Sequence, residues 1–176
     1  MRQPNALKTE AYVPFAKGNG NLVWAMICAV IDGDLEGVRN LVQIDKRLLT
    51  CEYEYLTPMH FAVRENHMHV IEFLLAQGVN AVYAPGEPLL STAGDRGYSA
   101  MVEYLKNVLE KRYGISSEGN IIAETIRNGA TEDAIKLLES RGTIKVADNN
   151  GNQPIHWAAF TSNFALIEYL LQHGAD

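Results

Sequence analysis

Cysteine is nearly absent from this chain of 176 residues, which holds only Cys28 and Cys51. They stand 23 positions apart in unlike surroundings, a spacing that gives neither a paired metal site nor a disulfide framework. Reduced, structural thiols follow, and with them the expectation of a cytoplasmic setting. Long apolar runs are missing too, since nothing approaches the roughly 18 residues of a membrane span. Behind Met1-Arg2-Gln3-Pro4-Asn5 there is no apolar segment, so no secretory leader is expected. Basic charge is also scarce: 15 Lys and Arg against 21 Asp and Glu leave a net charge of −6. The nearest cationic clusters, Lys46-Arg47 and Lys106 with Lys111 and Arg112, have acids beside them. Nucleic-acid binding needs clustered cations that displace phosphate counterions, so no nucleic-acid partner is expected.

The signatures of chemistry are equally thin. Gly18-Asn19-Gly20 is followed by no lysine at the spacing a phosphate loop requires. His67 and His69, two apart, point to different sides of a helix and suit no common metal site. Ser91, Ser116 and Ser162 lack the Gly-x-Ser-x-Gly elbow, and Glu52, Glu54, Glu118 and Glu124 form no recognisable pair. No catalytic, cofactor-binding or metal-binding residue is assigned, and an enzyme is not expected.

What the chain does have is repetition. Thr57-Pro58-Met59-His60-Phe61-Ala62-Val63 returns near the end as Gln153-Pro154-Ile155-His156-Trp157-Ala158-Ala159. In each copy a small or polar residue stands eight positions after the proline, Asn66 and Ser162. Similar residues occur at Gly33, Gly97 and Gly129, so successive markers are 33, 31, 32 and 33 residues apart. After each marker apolar residues recur at the three-and-four spacing of an amphipathic helix. They are Val38, Leu41 and Val42; Val70, Ile71, Leu74 and Leu75; Met101, Val102 and Leu105; Ala134, Leu137 and Leu138; Leu166, Ile167, Leu170 and Leu171. Gly86 and Gly151 each fall three positions before a proline site.

With this motif and a period of about 33 residues, the chain resembles the ankyrin repeat family. The resemblance implies an all-α fold, a solenoid of stacked helix-turn-helix units joined by short finger loops. Five repeats are expected, over residues 21–50, 51–82, 83–114, 115–147 and 148–176, after an extension or cap at 1–20. Thr57 and Asn120 would cap first helices by accepting a backbone N–H, and proline at the first helical position has its φ already set. Ala62, Ala93, Ala158 and Ala159 would let paired helices approach closely. The resemblance makes His60 and His156 structural, and gives His67 a local capping role.

Departures from the pattern lie in the outer and middle copies. The third reads Gly86-Glu87-Pro88-Leu89-Leu90-Ser91, with proline one position early and serine in place of histidine. The fourth has Ile121-Ile122-Ala123 and no proline, and the first, Ala25 to Val30, is apolar on nearly every side. That first helix suits cover from upstream, which residues 1–20 would supply unless they are a loose tail. Lys106 to Gly119 should continue a helix and then turn through Gly114, Ser116, Ser117 and Gly119. Leu166, Ile167, Leu170 and Leu171 are as apolar as an internal helix, so the last repeat carries no evident polar cap. A fragment, a following domain, or weak self-association of an otherwise monomeric chain is expected from this.

In the ankyrin family, finger tips and first helices line a concave palm that binds other proteins. The resemblance therefore places Arg64 and Glu65, Asp95 and Arg96, Arg127 and Asn128, and Phe160 and Thr161 at palm positions. Its finger positions are Tyr53, Glu54 and Leu56; Ala84, Pro85 and Glu87; and Asn149, Asn150 and Asn152, with Tyr55 where glycine is usual. Trp157 and Phe160 are large aromatics of the kind that dominate interface hot spots. Glu52-Tyr53-Glu54-Tyr55 alternates acid and aromatic, suiting a basic and apolar partner, while packing on the next repeat would also explain each aromatic. Arg64, Arg96 and Arg127 form an alternative patch, a ladder for an acidic partner. The function this implies is a protein-interaction module, an adaptor or scaffold for an unidentified protein. The alternative is a regulatory or targeting segment of a larger enzyme or channel.

Overall fold

The computed structural model describes residues 2–82, 88–142 and 144–176. Ten α-helices occur among them: α1 (Gly20–Ile31), α2 (Leu35–Ile44), α3 (Pro58–Arg64), α4 (Met68–Ala76), α5 (Leu89–Asp95), α6 (Ser99–Tyr113), α7 (Ser117–Arg127), α8 (Thr131–Arg141), α9 (Pro154–Phe160) and α10 (Phe164–Gln172). The only sheet among the described residues is a two-stranded hairpin, β1 (Tyr12–Val13) with β2 (Gly18–Asn19). The fold is thus all-α, as the resemblance implies. None of these helices is long and apolar enough to cross a membrane.

Between the helices of each consecutive pair the chain makes the same turn. Gly33, Asn66, Gly97, Gly129 and Ser162 have φ of 70, 60, 73, 77 and 54°, all left-handed. At each, its own N–H bonds the carbonyl three residues back, while the next residue bonds five back. Gly33 and Asp34 reach Val30 and Ala29 at 3.2 and 2.8 Å, and Ser162 and Asn163 reach Ala159 and Ala158 at 3.0 and 2.8 Å. This is the double closure of a Schellman motif, which satisfies orphan carbonyls and stops the helix. The five markers found by spacing alone are therefore the five points where a first helix ends.

Two compact units are distinguished, Met1–Leu105 and Lys106–Asp176, the division falling inside α6. In the first unit, α1 packs on α2 and α3, and α3 on α4 and α5. Its core holds Val23, Met26, Ile27 and Val30 from α1, Val38 and Val42 from α2, and Val70, Ile71, Leu74 and Leu75 from α4. The upstream residues are folded onto α1: Leu7 and Ala16 are fully buried, and a Cβ on Gly20 would lie 2.6 Å from the Leu7 carbonyl oxygen. That close approach explains a glycine at the first position of a helix. The Ala16 carbonyl also accepts the Glu52 amide at 3.0 Å, and Lys17 pairs with the Glu52 carboxylate.

In the second unit α7 packs on α8 and α9, and α9 on α10. Ile122, Ile126, Ala134, Leu138, Ala158, Leu166 and Leu170 form its core with Val146. Burying each large side chain contributes roughly 1.5–3 kcal/mol, so these contacts outweigh any single turn. Ala158 is buried, whereas Ala159 is exposed and plays no part in close helix approach.

The caps differ from expectation in two places. Asn120 lies a turn inside α7, whose cap is Ser116, with its hydroxyl accepting the Gly119 amide at 3.3 Å. Ser117 and Gly119 are helical, not part of a turn. The chain before them runs beside the next finger, Ile115 bridging Ala147, with Ala147 N–H donating to the Gly114 carbonyl at 2.9 Å. His67 occupies the cap position of α4 but makes no capping bond there. Its Nε2 lies 2.8 Å from the Ile31 carbonyl oxygen of the preceding helix pair, and His69 Nε2 lies 2.9 Å from that of Gly33. Both rings reach past their own turn because the end of α1 offers unpaired carbonyls. Thr57 and Gln153 stand at the caps of α3 and α9, and their amides donate to Nδ1 of His60 and His156 at 3.1 and 2.9 Å.

Gly97→Ala meets open space, so its cost is backbone strain alone, about 1 kcal/mol. Gly119→Ala drives a Cβ into the Ala147 carbonyl oxygen and should lower the melting temperature considerably more. Equal losses in thermal melts would show that the close approach at Ala147 is wrong.

Both cysteines are free, Cys51 buried and Cys28 half-buried. Burial pushes the Cys51 thiol up to about 12 and raises Cys28 as well. The reactive thiolate is thus scarce at neutral pH and grows only as pH climbs towards the raised value. Native chain at pH 8 should modify far more slowly with a thiol reagent than urea-unfolded chain, Cys51 slowest. Matching rates would contradict the burial.

Candidate partner-binding surface

In the first unit the finger before α3 is a two-residue turn. Tyr53 and Leu56 exchange both backbone hydrogen bonds at 2.9 Å, and Glu54 and Tyr55 between them have φ of 52 and 64°. Non-glycine residues at both positions of a type I′ turn carry strain of order 1 kcal/mol each. Tyr53 is anchored by Trp24, their rings meeting edge to face at 5.7 Å. Burial raises its phenol above the ordinary value, and the neighbouring Glu54 adds to the effect. Tyr55, in contrast, projects with 81% of its surface exposed, so it is the aromatic this finger displays.

The palm positions of this unit are less organised. Arg64 lies over the Phe61 ring at 5.8 Å, and its carbonyl accepts the Tyr98 hydroxyl at 3.3 Å. Glu65, Asp95 and Arg96 are exposed where α3 and α5 end. Arg127, the third arginine of the expected ladder, belongs to the second compact unit. Ala84, Pro85 and Glu87, with Gly86, lie outside the described residues.

In the second unit the expected residues converge. The guanidinium of Arg127, the last residue of α7, stands 5.3 Å over the Trp157 ring. Trp157 meets Phe160 edge to face at 5.7 Å, and Phe160 is 78% exposed, a large apolar area left to water on a short helix. Arg127 and Trp157 line two hollows. One of about 330 Å³ also has Asn152, His156 and Phe160, and one of about 460 Å³ has Asn120, Glu124, Asn128, Asp148 and Asn150. Thr161 turns its hydroxyl back to the Trp157 carbonyl at 2.9 Å. Asn149 is exposed, and its amide donates to the Asn120 side chain at 3.0 Å.

A residue outside the expected set organises this surface. Asp148 is 3% exposed, and its carboxylate accepts from Trp157 Nε1 at 2.9 Å and from the Asn150 and Asn152 amides at 2.8 and 2.9 Å. One buried carboxylate thus shapes the finger and fixes the indole below Arg127. The signal was available: an aspartate opening an Asn-Asn-Gly turn bonds backbone amides two and four residues on. What sequence could not show is that the indole nine positions later shares it.

Consecutive helix pairs, each turned by the same left-handed residue, are the class of the helical repeat proteins. Residues 25–117 match the family model for ankyrin repeats in three copies, and residues 150–176 match that for the ankyrin repeat. The chain belongs to the ankyrin repeat family. Palmitoyltransferase AKR1 of Lachancea kluyveri is 24% identical over a 127-residue match that covers 68% of this chain and 17% of that protein. L-asparaginase of Dirofilaria immitis is 25% identical over 160 residues, 86% of this chain and 26% of the relative. The human transient receptor potential cation channel subfamily A member 1 is 29% identical over 134 residues, 68% and 11%. The chain therefore spans about a quarter or less of the length of these relatives.

Replacing Asp148 by Ala strands the Trp157 indole and two finger amides, a loss of about 1–3 kcal/mol. Lower stability and a red-shifted, more quenchable Trp157 emission should follow, measured in a Trp24→Phe background. Unchanged emission would mean that Asp148 does not hold the indole.

Proposed function

We propose that this chain is a protein-interaction module, an adaptor or scaffold of five ankyrin repeats that binds a partner protein through fingers and first helices. The observation that carries the reading is the Arg127–Trp157–Phe160 cluster, with a 78% exposed phenylalanine held edge-on to a hydrogen-bonded indole. Arg and aromatics dominate interface hot spots, and here they are positioned before any partner arrives. Asn128, Asn149, Asn150 and Thr161 are its rim. Tyr53, Glu54, Arg64, Glu65, Asp95 and Arg96 are the contacts proposed for the first unit, with Tyr55 added by its exposure. The ligand is a protein rather than nucleic acid or membrane, in keeping with the net charge of −6. The chain is proposed to be cytoplasmic, without catalysis of its own, and monomeric or weakly self-associating.

A second reading is a regulatory or targeting segment of a larger protein. It draws support from relatives named as a palmitoyltransferase and a cation channel, of which this chain matches only 17% and 11%. The surface would then meet another part of the same polypeptide, and the length of the full reading frame separates the two cases.

The test begins with affinity capture on the wild-type chain, identification of the bound protein and its purification. Phe160→Ala and Arg127→Ala should each weaken binding of that purified partner by about tenfold or more. Arg64→Ala combined with Arg96→Ala reports on the first unit. If all variants keep wild-type affinity and a native circular dichroism spectrum, the palm assignment is wrong.

A further inference from the structure

We infer that the hollow beside Arg127, Trp157 and Phe160 receives an acidic side chain with an aromatic one next to it, a Glu-Phe type pair on an exposed segment of the partner. The inference rests on the interaction-module reading and names the chemistry that module selects.

Charge is the first argument. Arg127 is exposed, and among the described residues no ion pair forms at its guanidinium. Asp148, the acid beneath Trp157, is buried and already accepts from the indole and two finger amides. Glu124 lines the other hollow, a turn before Arg127, and among the described residues makes no ion pair with it. The guanidinium stacked on the indole keeps its N–H fork for a carboxylate, which it binds in bidentate fashion.

Hydrogen-bond polarity is the second. The Gln153 amide can only donate, so the Nδ1 of His156 that receives it at 2.9 Å is an acceptor. The neutral ring then carries its proton on Nε2, which is a donor. His156 lines the same hollow as Arg127 and Asn152, and no carboxylate lines it. Donors without an acid of their own select an acceptor, and a lysine-bearing segment would instead meet Arg127.

Shape is the third. At about 330 Å³ the hollow has room for one aromatic side chain and an adjoining carboxylate. Trp157 and Phe160 already meet edge to face, and a third ring adds to that arrangement on the 78% exposed Phe160.

The test uses the full chain labelled with nitrogen-15 and the blocked peptides acetyl-Gly-Glu-Phe-Gly-amide, its Gln-Phe and Lys-Phe counterparts, and Glu-Ala. The readout is the pair of indole N–H signals, Trp157 assigned by Trp157→Phe and Trp24 serving as the control in the other unit. The Glu-Phe peptide should shift the Trp157 signal saturably and leave Trp24 in place. Gln-Phe and Glu-Ala should bind about tenfold more weakly. Arg127→Gln should erase the preference for Glu over Gln, while Arg127→Lys, which keeps the charge, retains part of it. No saturable shift, equal binding of the Glu and Gln peptides, stronger binding of Lys-Phe, or equal movement of both indoles would overturn the inference. If the peptides fail but the captured partner still depends on Phe160, only the acidic-aromatic assignment falls. Loss of both removes the interaction surface itself.

Discussion

Everything in this chain hangs on one backbone event repeated five times, the left-handed residue that ends a first helix and sends the chain back along it. A helix end leaves carbonyls without partners, and burying it beside another helix would be costly unless they are satisfied. The paired bonds at Gly33, Asn66, Gly97, Gly129 and Ser162 satisfy them within the turn itself. Three of the five are glycine, which meets no Cβ penalty there, and asparagine tolerates the region. Ser162 does neither, and the Ser162–Asn163 turn is held partly from outside, by an Asn163 side-chain bond to Thr131 at 2.7 Å.

Turns set the register but contribute little of the stability. Each buried leucine or isoleucine contributes roughly 1.5–3 kcal/mol. The apolar stripes after each turn supply that burial, as Val70, Ile71, Leu74 and Leu75 do in α4. Polar links between neighbouring helix pairs then fix their alignment, among them His67 to the Ile31 carbonyl and Tyr98 to that of Arg64. Division of labour follows from this: the scaffold is secured by residues facing inward and back, while Tyr55, Arg127 and Phe160 stay exposed.

The surface was legible in part. The resemblance puts Arg127, Asn128 and Phe160 at expected palm positions, with Trp157 a neighbouring aromatic. Counting could not say that Arg127 stacks on Trp157, because the two lie 30 positions apart and meet only when α7 packs on α9. The resemblance makes His156 structural, and the ring does two things: one nitrogen serves the cap while the ring lines the hollow. Asn120 went wrong for a simpler reason, since Ser116 offers an equally good cap one turn earlier and the Ile115–Ala147 bridge favours the earlier start.

The sequence by itself determined the all-α class, the period and the five turning points, because a left-handed turn and an amphipathic stripe are local demands written in adjacent residues. Tertiary structure alone decided what the surface presents. Asp148 organises a finger and an indole, His67 reaches back 36 positions, and Tyr53 is withdrawn onto Trp24 while Tyr55 projects. Each of these depends on which side chains distant packing brings within hydrogen-bonding or van der Waals reach. Local pattern carries no record of that distance.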